Sequence, residues 1–177
     1  KKILQTNGYK EKISVLHKRS TDLIVGNDLP RKADLIISEV LSAEFVGEGV
    51  RTTTLDANKR LLENGGKIIP QSGKIKIALL GNSSEVFDAT TVTQVHGFDF
   101  SQFNSISQKK FSLNLKNKPI FLSNTADAFS INLCNESSVF KEEKTIPLQA
   151  NSDGFCIGLI QWLWVHLYDD IQYENTP

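Results

Sequence analysis

The chain has 177 residues, and its 20 lysines and arginines match its 20 aspartates and glutamates, giving a formal net charge of zero. No overall field therefore draws it to nucleic acid or to an anionic membrane. No apolar run reaches the roughly 18 residues that span a bilayer, and Lys1-Lys2-Ile3-Leu4 opens no long apolar segment of the signal-peptide kind. In chain order, residues 1–7 read as the tail of a helix closed by Gly8 as a C-terminal cap. Residues 12–16 are expected as a strand, residues 22–31 as a connection holding Gly26 and Pro30, and the apolar run Ala33-Asp34-Leu35-Ile36-Ile37 as a buried strand. Together they suggest the latter part of a βαβ sheet. Residues 50–64 predict an amphipathic helix, with Leu55, Leu61 and Leu62 near one face and Asp56, Lys59, Arg60 and Glu63 opposite, ended by Asn64-Gly65-Gly66. After Pro70 the pattern becomes period-two alternation, at residues 74–79 and 110–115, with further short strands expected at 120–122, 128–133, 144–148 and 154–167. The fold class is therefore α/β followed by all-β, an antiparallel barrel or sandwich, with a boundary near residues 66–71.

Between the expected strand and helix lies Ser38-Glu39-Val40-Leu41-Ser42-Ala43-Glu44-Phe45-Val46-Gly47-Glu48-Gly49. Glu39 falls just past the C-terminal end of a strand, where open α/β sheets place their ligands. Glu48 returns nine positions later, too far along for one helical face but within reach through a hairpin-like loop. Two carboxylates facing one cleft repel each other unless a dispersed cation such as a guanidinium lies between them. That is the physical case for an arginine clamp; the plainer alternative is two solvated loop acids.

Ser-Glu, a nine-residue return and Gly47-Glu48-Gly49 resemble the double-glutamate loop of the protein arginine N-methyltransferases, in the branch that reads T-E … G-E-G. Residues 13–23, where a strand leads into Lys18-Arg19-Ser20-Thr21, are similar to that branch. So are Gly66-Lys67-Ile68-Ile69-Pro70, at the crossing from methyl-donor domain to β-barrel, and Val95-His96-Gly97-Phe98-Asp99-Phe100-Ser101 within the barrel. The resemblance implies a partial, Rossmann-like S-adenosylmethionine-binding α/β domain over residues 1–66 and a substrate-binding β-barrel over 70–177. It makes Glu39 and Glu48 the catalytic clamp on an arginine of a protein substrate. Ser20 and Thr21 would face the adenine of the donor and Thr53 would border it. On the residues alone, the same Ser/Thr turn equally satisfies local backbone, and Thr52-Thr53-Thr54 equally caps the following helix. Glu44 is assigned to the loop surface.

The family's glycine-rich donor motif would precede Lys1 and its Thr-His-Trp loop would follow Pro177. With no methionine in the chain, the sequence reads as a fragment of a longer enzyme, inactive by itself. The alternative is a methyltransferase-like scaffold that only binds, and a third class is a methyltransferase acting on a small molecule or on another side chain. Dimerisation in the family uses an arm inserted in the barrel. That arm would fall at residues 82–107 and is short here, so self-association of these 177 residues is expected to be weak. Cys134 and Cys156 read as buried thiols of a reduced compartment, placing the protein in the cytoplasm with the nucleus as the alternative. His17, His96 and His166 lack ligand spacing, so no metal is expected. Both tryptophans of Gln161-Trp162-Leu163-Trp164-Val165 fall on one strand face and read as core.

Overall fold

The computed structural model describes residues 1–42, 44–134 and 143–177. A short helix α1 (Lys2–Thr6) is followed by a turn in which Lys12 and Ile13 donate backbone N–H to Tyr9 O. The strand expected at residues 12–16 is not formed. Ile13, Val15 and Leu16 are exposed, and no strand among the described residues lies beside them to accept a ladder. An isolated apolar run cannot hold an extended ladder by itself.

Strand β1 (Ala33–Ile37), helix α2 (Val50–Leu61) and strand β2 (Leu62–Ile69) form a βαβ unit with β1 and β2 parallel, Ile36 opposite Ile68 and Ile37 opposite Ile69. Val50, Thr54, Ala57 and Leu61 recur at helical spacing and are the buried stripe of α2. The helix stops at Leu61, and Asn64-Gly65-Gly66, expected to end it, lies inside β2. The register jumps from Ala33↔Leu62 to Leu35↔Lys67, so the intervening residues form a bulge, with Gly65 at φ 78°. Glycine at that position serves the bulge rather than a helix cap.

The rest of the chain builds an antiparallel sheet from β3 (Ser72–Gly81), β6 (Ala126–Asn132), β7 (Cys156–Tyr168) and β8 (Ile171–Glu174), in the order β6-β3-β7-β8 among the described residues. Helix α3 (Ser84–Thr90), capped by Ser83 Oγ accepting from Val86 N at 3.2 Å, follows β3. A two-residue hairpin then joins β4 (Gln94–Val95) to β5 (Phe98–Asp99) through His96 and Gly97 at φ 51° and 84°, the left-handed pair that tight hairpins need.

The segment 110–115 is not a strand, and neither is 144–148. Residues 120–122 make one isolated bridge to β3, Phe121 opposite Leu80, and Leu122 O accepts from Asn151 N at 2.8 Å. Leu113, Leu115 and Phe121 nonetheless pack on the buried cluster of Ala78, Leu80, Val86, Ile160 and Trp162. The period-two pattern recorded alternate burial on a core, without backbone pairing. Trp162 is core, its ring stacked on Phe121 with centroids 5.5 Å apart, while Trp164 on the same face is half-buried. The opposite face of the sheet carries a second cluster, Leu133, Leu163 and Val165 with Phe45 and Val50. Cys134 is half-buried and Cys156 exposed, both as free thiols, so neither is the fully buried group expected. Neighbouring strands left Cys156 uncovered because it opens β7 at the sheet's end.

Candidate active site

The chain runs in line with β2 through Ser38, whose N–H donates to Ile69 O at 2.8 Å, and then leaves the sheet. Glu39 is the next residue, exposed at the rim of a cavity of about 350 Å³. The cavity lies between β1 and α2. Ile36, Ile37, Leu61 and Ile68 give it apolar walls, and Ser20, Thr53 and Thr54 bring hydroxyls to it. The structure thus gathers three of the residues singled out from sequence, Ser20, Glu39 and Thr53, around one space.

Glu48 and Thr21 do not line that cavity. Thr21 is exposed, and its hydroxyl donates to Asp22 Oδ1 at 3.4 Å. Glu48 stands exposed in the turn before Gly49, which takes φ 70° as the residue preceding α2. The free N–H groups of a helix's first turn favour a carboxylate nearby, so Glu48 sits where its negative charge is tolerated. Thr52 and Thr53 do not cap α2: Thr52 Oγ1 donates to Gly49 O at 3.1 Å, and Thr53 N makes the first helical hydrogen bond to the same oxygen at 3.0 Å.

The loop between the two glutamates is folded on itself. Phe45 N donates to Ser42 O and Val46 N to Glu44 O, both at 2.8 Å, and Gly47 N donates to Ser42 Oγ at 2.8 Å. Glu44 forms an ion pair with Lys110, and that hydrogen bond holds its carboxyl below the usual range. Among the described residues neither Glu39 nor Glu48 has an ion-pair partner or a side-chain hydrogen bond. The middle acid is neutralised within the fold, and the outer two are left to the solvent side.

Two contributors were not legible beforehand. Arg60 binds Asp56 through Nε at 2.7 Å and through Nη2. Its Nη1 donates to Leu23 O at 2.8 Å and Nη2 to Ser20 O at 3.0 Å. One guanidinium thereby ties the Ser20–Asp22 turn to α2, holding Ser20 at the cavity. The Asp56/Arg60 spacing of four along a helix was the available signal, but it pointed to a surface pair rather than a strut. The second is Phe45, fully buried in mid-loop at φ 66°. Being the loop's one aromatic residue was its only mark.

No family model matches the sequence. An arginine N(omega)-methyltransferase of Streptomyces achromogenes subsp. streptozoticus is 28% identical over 177 residues, which is 99% of this chain and 48% of that protein. Protein arginine N-methyltransferase 7 of Oryza sativa subsp. indica is 26% identical over 198 residues, all of this chain and 26% of that protein. The same-named protein of Drosophila ananassae reaches 42% identity over 69 residues, 39% of this chain and 10% of that protein. The chain thus spans half or less of the length of these relatives. Among solved structures, the Trypanosoma brucei PRMT1 enzyme-prozyme heterotetrameric complex with AdoHcy superposes with a TM-score of 0.72 at 17% identity, over 99% of this chain and 56% of that one. At that identity the likeness speaks for the fold: α/β followed by a β-rich half.

Proposed function

The chain belongs to the protein arginine N-methyltransferase family, and we propose that the whole protein carrying it transfers methyl groups from S-adenosylmethionine to guanidino nitrogens of arginine in protein substrates. The observation that carries this reading is the contrast within one loop: Glu44 is paired with Lys110, whereas Glu39 and Glu48 face solvent with no cation among the described residues. Two uncompensated carboxylates bracketing a strand-to-helix crossing suit a dispersed, planar cation that donates charge-assisted bonds to both of them. In this reading residues 1–66 serve the donor and residues 70–177 the substrate.

The cavity beside Glu39 fits part of the donor. Apolar walls at Ile36, Ile37 and Leu61 suit a planar ring, and Ser20 and Thr53 offer hydroxyls to its edge. S-adenosylmethionine would supply an electrophilic methyl group on a sulfonium. The chain's own residues do the rest. Glu39 and Glu48 accept N–H bonds from the substrate guanidinium and fix its plane, which limits the nitrogen to an attacking orientation. The guanidinium enters protonated, the two carboxylates offset its charge, and the proton displaced from the nitrogen that takes the methyl passes to a clamp carboxylate and on to solvent.

The test is methyl transfer by the whole protein to an arginine-rich peptide and, in parallel, to free arginine. Glu48→Gln or Glu39→Gln is expected to lower transfer by more than about tenfold, with donor affinity by calorimetry nearly unchanged. Wild-type turnover in Glu48→Gln would defeat the clamp and leave the scaffold reading. The free-arginine arm is included because the Streptomyces relative is named for arginine, while the rice and fly relatives are named for protein arginine. For assembly, the trypanosome neighbour is a heterotetramer, and the corresponding proposal is a dimer of the whole protein with only weak self-association of these 177 residues. Sedimentation of the 177-residue chain at micromolar concentration checks the latter, and a stable dimer would contradict it.

A further inference from the structure

The two outer glutamates of the loop lie on the βαβ half, and the loop's middle reaches from there onto the antiparallel sheet. Phe45 is 0% exposed and packs in one cluster with Leu163 and Val165 of β7, Leu133 just past β6, and Val50 of α2. Its ring lies directly over Gly73 of β3, where any Cβ would overlap the Phe45 ring. Leu41 and Val50, on either side, pack on the same cluster. The backbone at Phe45 takes φ 66°, a left-handed conformation that a bulky L-residue holds only when its surroundings impose it. The ring's burial is what holds it there.

We infer that Phe45, seated on Gly73, is a positioning residue that sets where Glu39 and Glu48 stand relative to the antiparallel sheet. The inference rests on the clamp reading above and adds to it the part that joins donor half to substrate half. The physical logic is short. Phe45 lies six positions after Glu39 and three before Glu48, and the loop's internal bonds through Ser42 make it stiff. Displacing the ring therefore moves both carboxylates together. Displacing a reacting group by about 1 Å can cost about 100-fold in rate. The bare Cα of Gly73 gives the ring its seat; a strand interior otherwise disfavours glycine.

Four variants of the whole protein decide the matter. Gly73→Ala pushes the ring out without touching either glutamate, and is expected to lower kcat/KM for an arginine-rich peptide about 10- to 100-fold. Donor-side affinity, measured calorimetrically with S-adenosylhomocysteine, should change by no more than about twofold. Combining Gly73→Ala with Phe45→Leu makes room for the added methyl and is expected to recover most of the loss, which a merely destabilised sheet would not do. Phe45→Gly keeps the left-handed backbone available while removing the ring, so it decides the question if Gly73→Ala fails to fold; it too should lose kcat/KM with donor affinity retained. Glu48→Gln is the control on the premise. If Glu48→Gln abolishes transfer but Gly73→Ala or Phe45→Gly keeps kcat/KM within about twofold of wild type, the positioning role is overturned and the clamp stands. If the double variant of Gly73→Ala and Phe45→Leu recovers nothing, the seat is likewise refuted. If Glu48→Gln itself transfers normally, the clamp fails and the inference falls with it.

Discussion

The antiparallel sheet and the loop that rests on it treat charge in opposite ways. On the sheet, Lys74 meets Asp127 at 2.6 Å and Lys76 meets Glu174 at 3.0 Å, with Trp162 Nε1 donating to Glu174 at 2.7 Å. Both of those acids are answered by a neighbour within the sheet. In the loop, Glu39 and Glu48 are left unanswered among the described residues while Glu44 between them is paired. The sheet uses its polar groups for its own cohesion. The loop keeps two in reserve, and a fold that gives neither of them an ion-pair partner among the described residues holds them for something outside itself.

The largest expected effect breaks that comparison at the reserved acids. Replacing both, Glu39→Gln with Glu48→Gln, should abolish methyl transfer while leaving thermal stability unchanged or slightly raised, because repulsion is relieved and no internal partner is orphaned. Glu44→Gln should do the reverse, with near-normal transfer and a looser loop. Thermal melts run beside the transfer assay check both halves. A double variant that melts well below wild type would mean the two acids hold the fold and are not reserved.

Next in size is the strut on the donor side. Arg60→Lys cannot reproduce two carbonyl bonds and a bidentate contact to Asp56 at once, so the turn at Ser20 should loosen. Donor affinity is expected to fall by roughly tenfold, with KM for the peptide little changed. Calorimetric titration with S-adenosylhomocysteine checks this, and unchanged affinity would remove Ser20 from the donor site.

The acid limb of stability sharpens the comparison from the sheet's side. The Trp162 N–H, and then Lys76, hold Glu174 below the ordinary carboxylate range despite partial burial, which acts the other way. A carboxyl with a lowered folded pKa stabilises above its unfolded value of 4.5 and loses that contribution as pH falls through the folded value. Wild type should therefore lose stability on acidification from about pH 4.5 downward, and Glu174→Gln should flatten that limb at a cost of about 1 kcal/mol near neutral pH. Tryptophan fluorescence during urea unfolding at several pH values reads both.

The parts legible in sequence were those where one pattern had one structural meaning. The strand at Ala33–Ile37 and the change near Pro70 were of this kind. So was the loop's position after a strand, since apolar continuity and turn residues both marked it. The burial expected of that strand was not met, because Leu35 and Ile37 are exposed where no element among the described residues covers them. What was not legible depends on partners distant in sequence. Residues 12–16 have strand composition but no neighbour to pair with among the described residues, and residues 110–115 alternate because Leu113 and Leu115 face a core. The roles of Arg60 and Phe45 are likewise set by Ser20 and Gly73, 40 and 28 positions away, and no local period encodes such contacts.

The smallest effect belongs to the sheet's most exposed pair. Lys74 and Asp127 face each other from β3 and β6 with side chains 38% and 39% exposed, and Lys74 Nζ also lies 5.2 Å from the centre of the Trp164 ring. Water screens such a pair and its long side chains lose freedom on forming it, so a coupling energy below about 1 kcal/mol is expected. A double-mutant cycle on Lys74→Met and Asp127→Asn isolates that term from the ring contact, which Asp127→Asn leaves in place. Raising salt should erase most of the coupling, while the ring contact and the buried Trp162 hold the sheet. A coupling well above about 1 kcal/mol that persists in high salt would show the sheet's ion pairs to be structural anchors. Cohesion would then rest on charge in the sheet as well as on its two apolar clusters, and the contrast with the loop would sharpen from a difference of degree to one of kind.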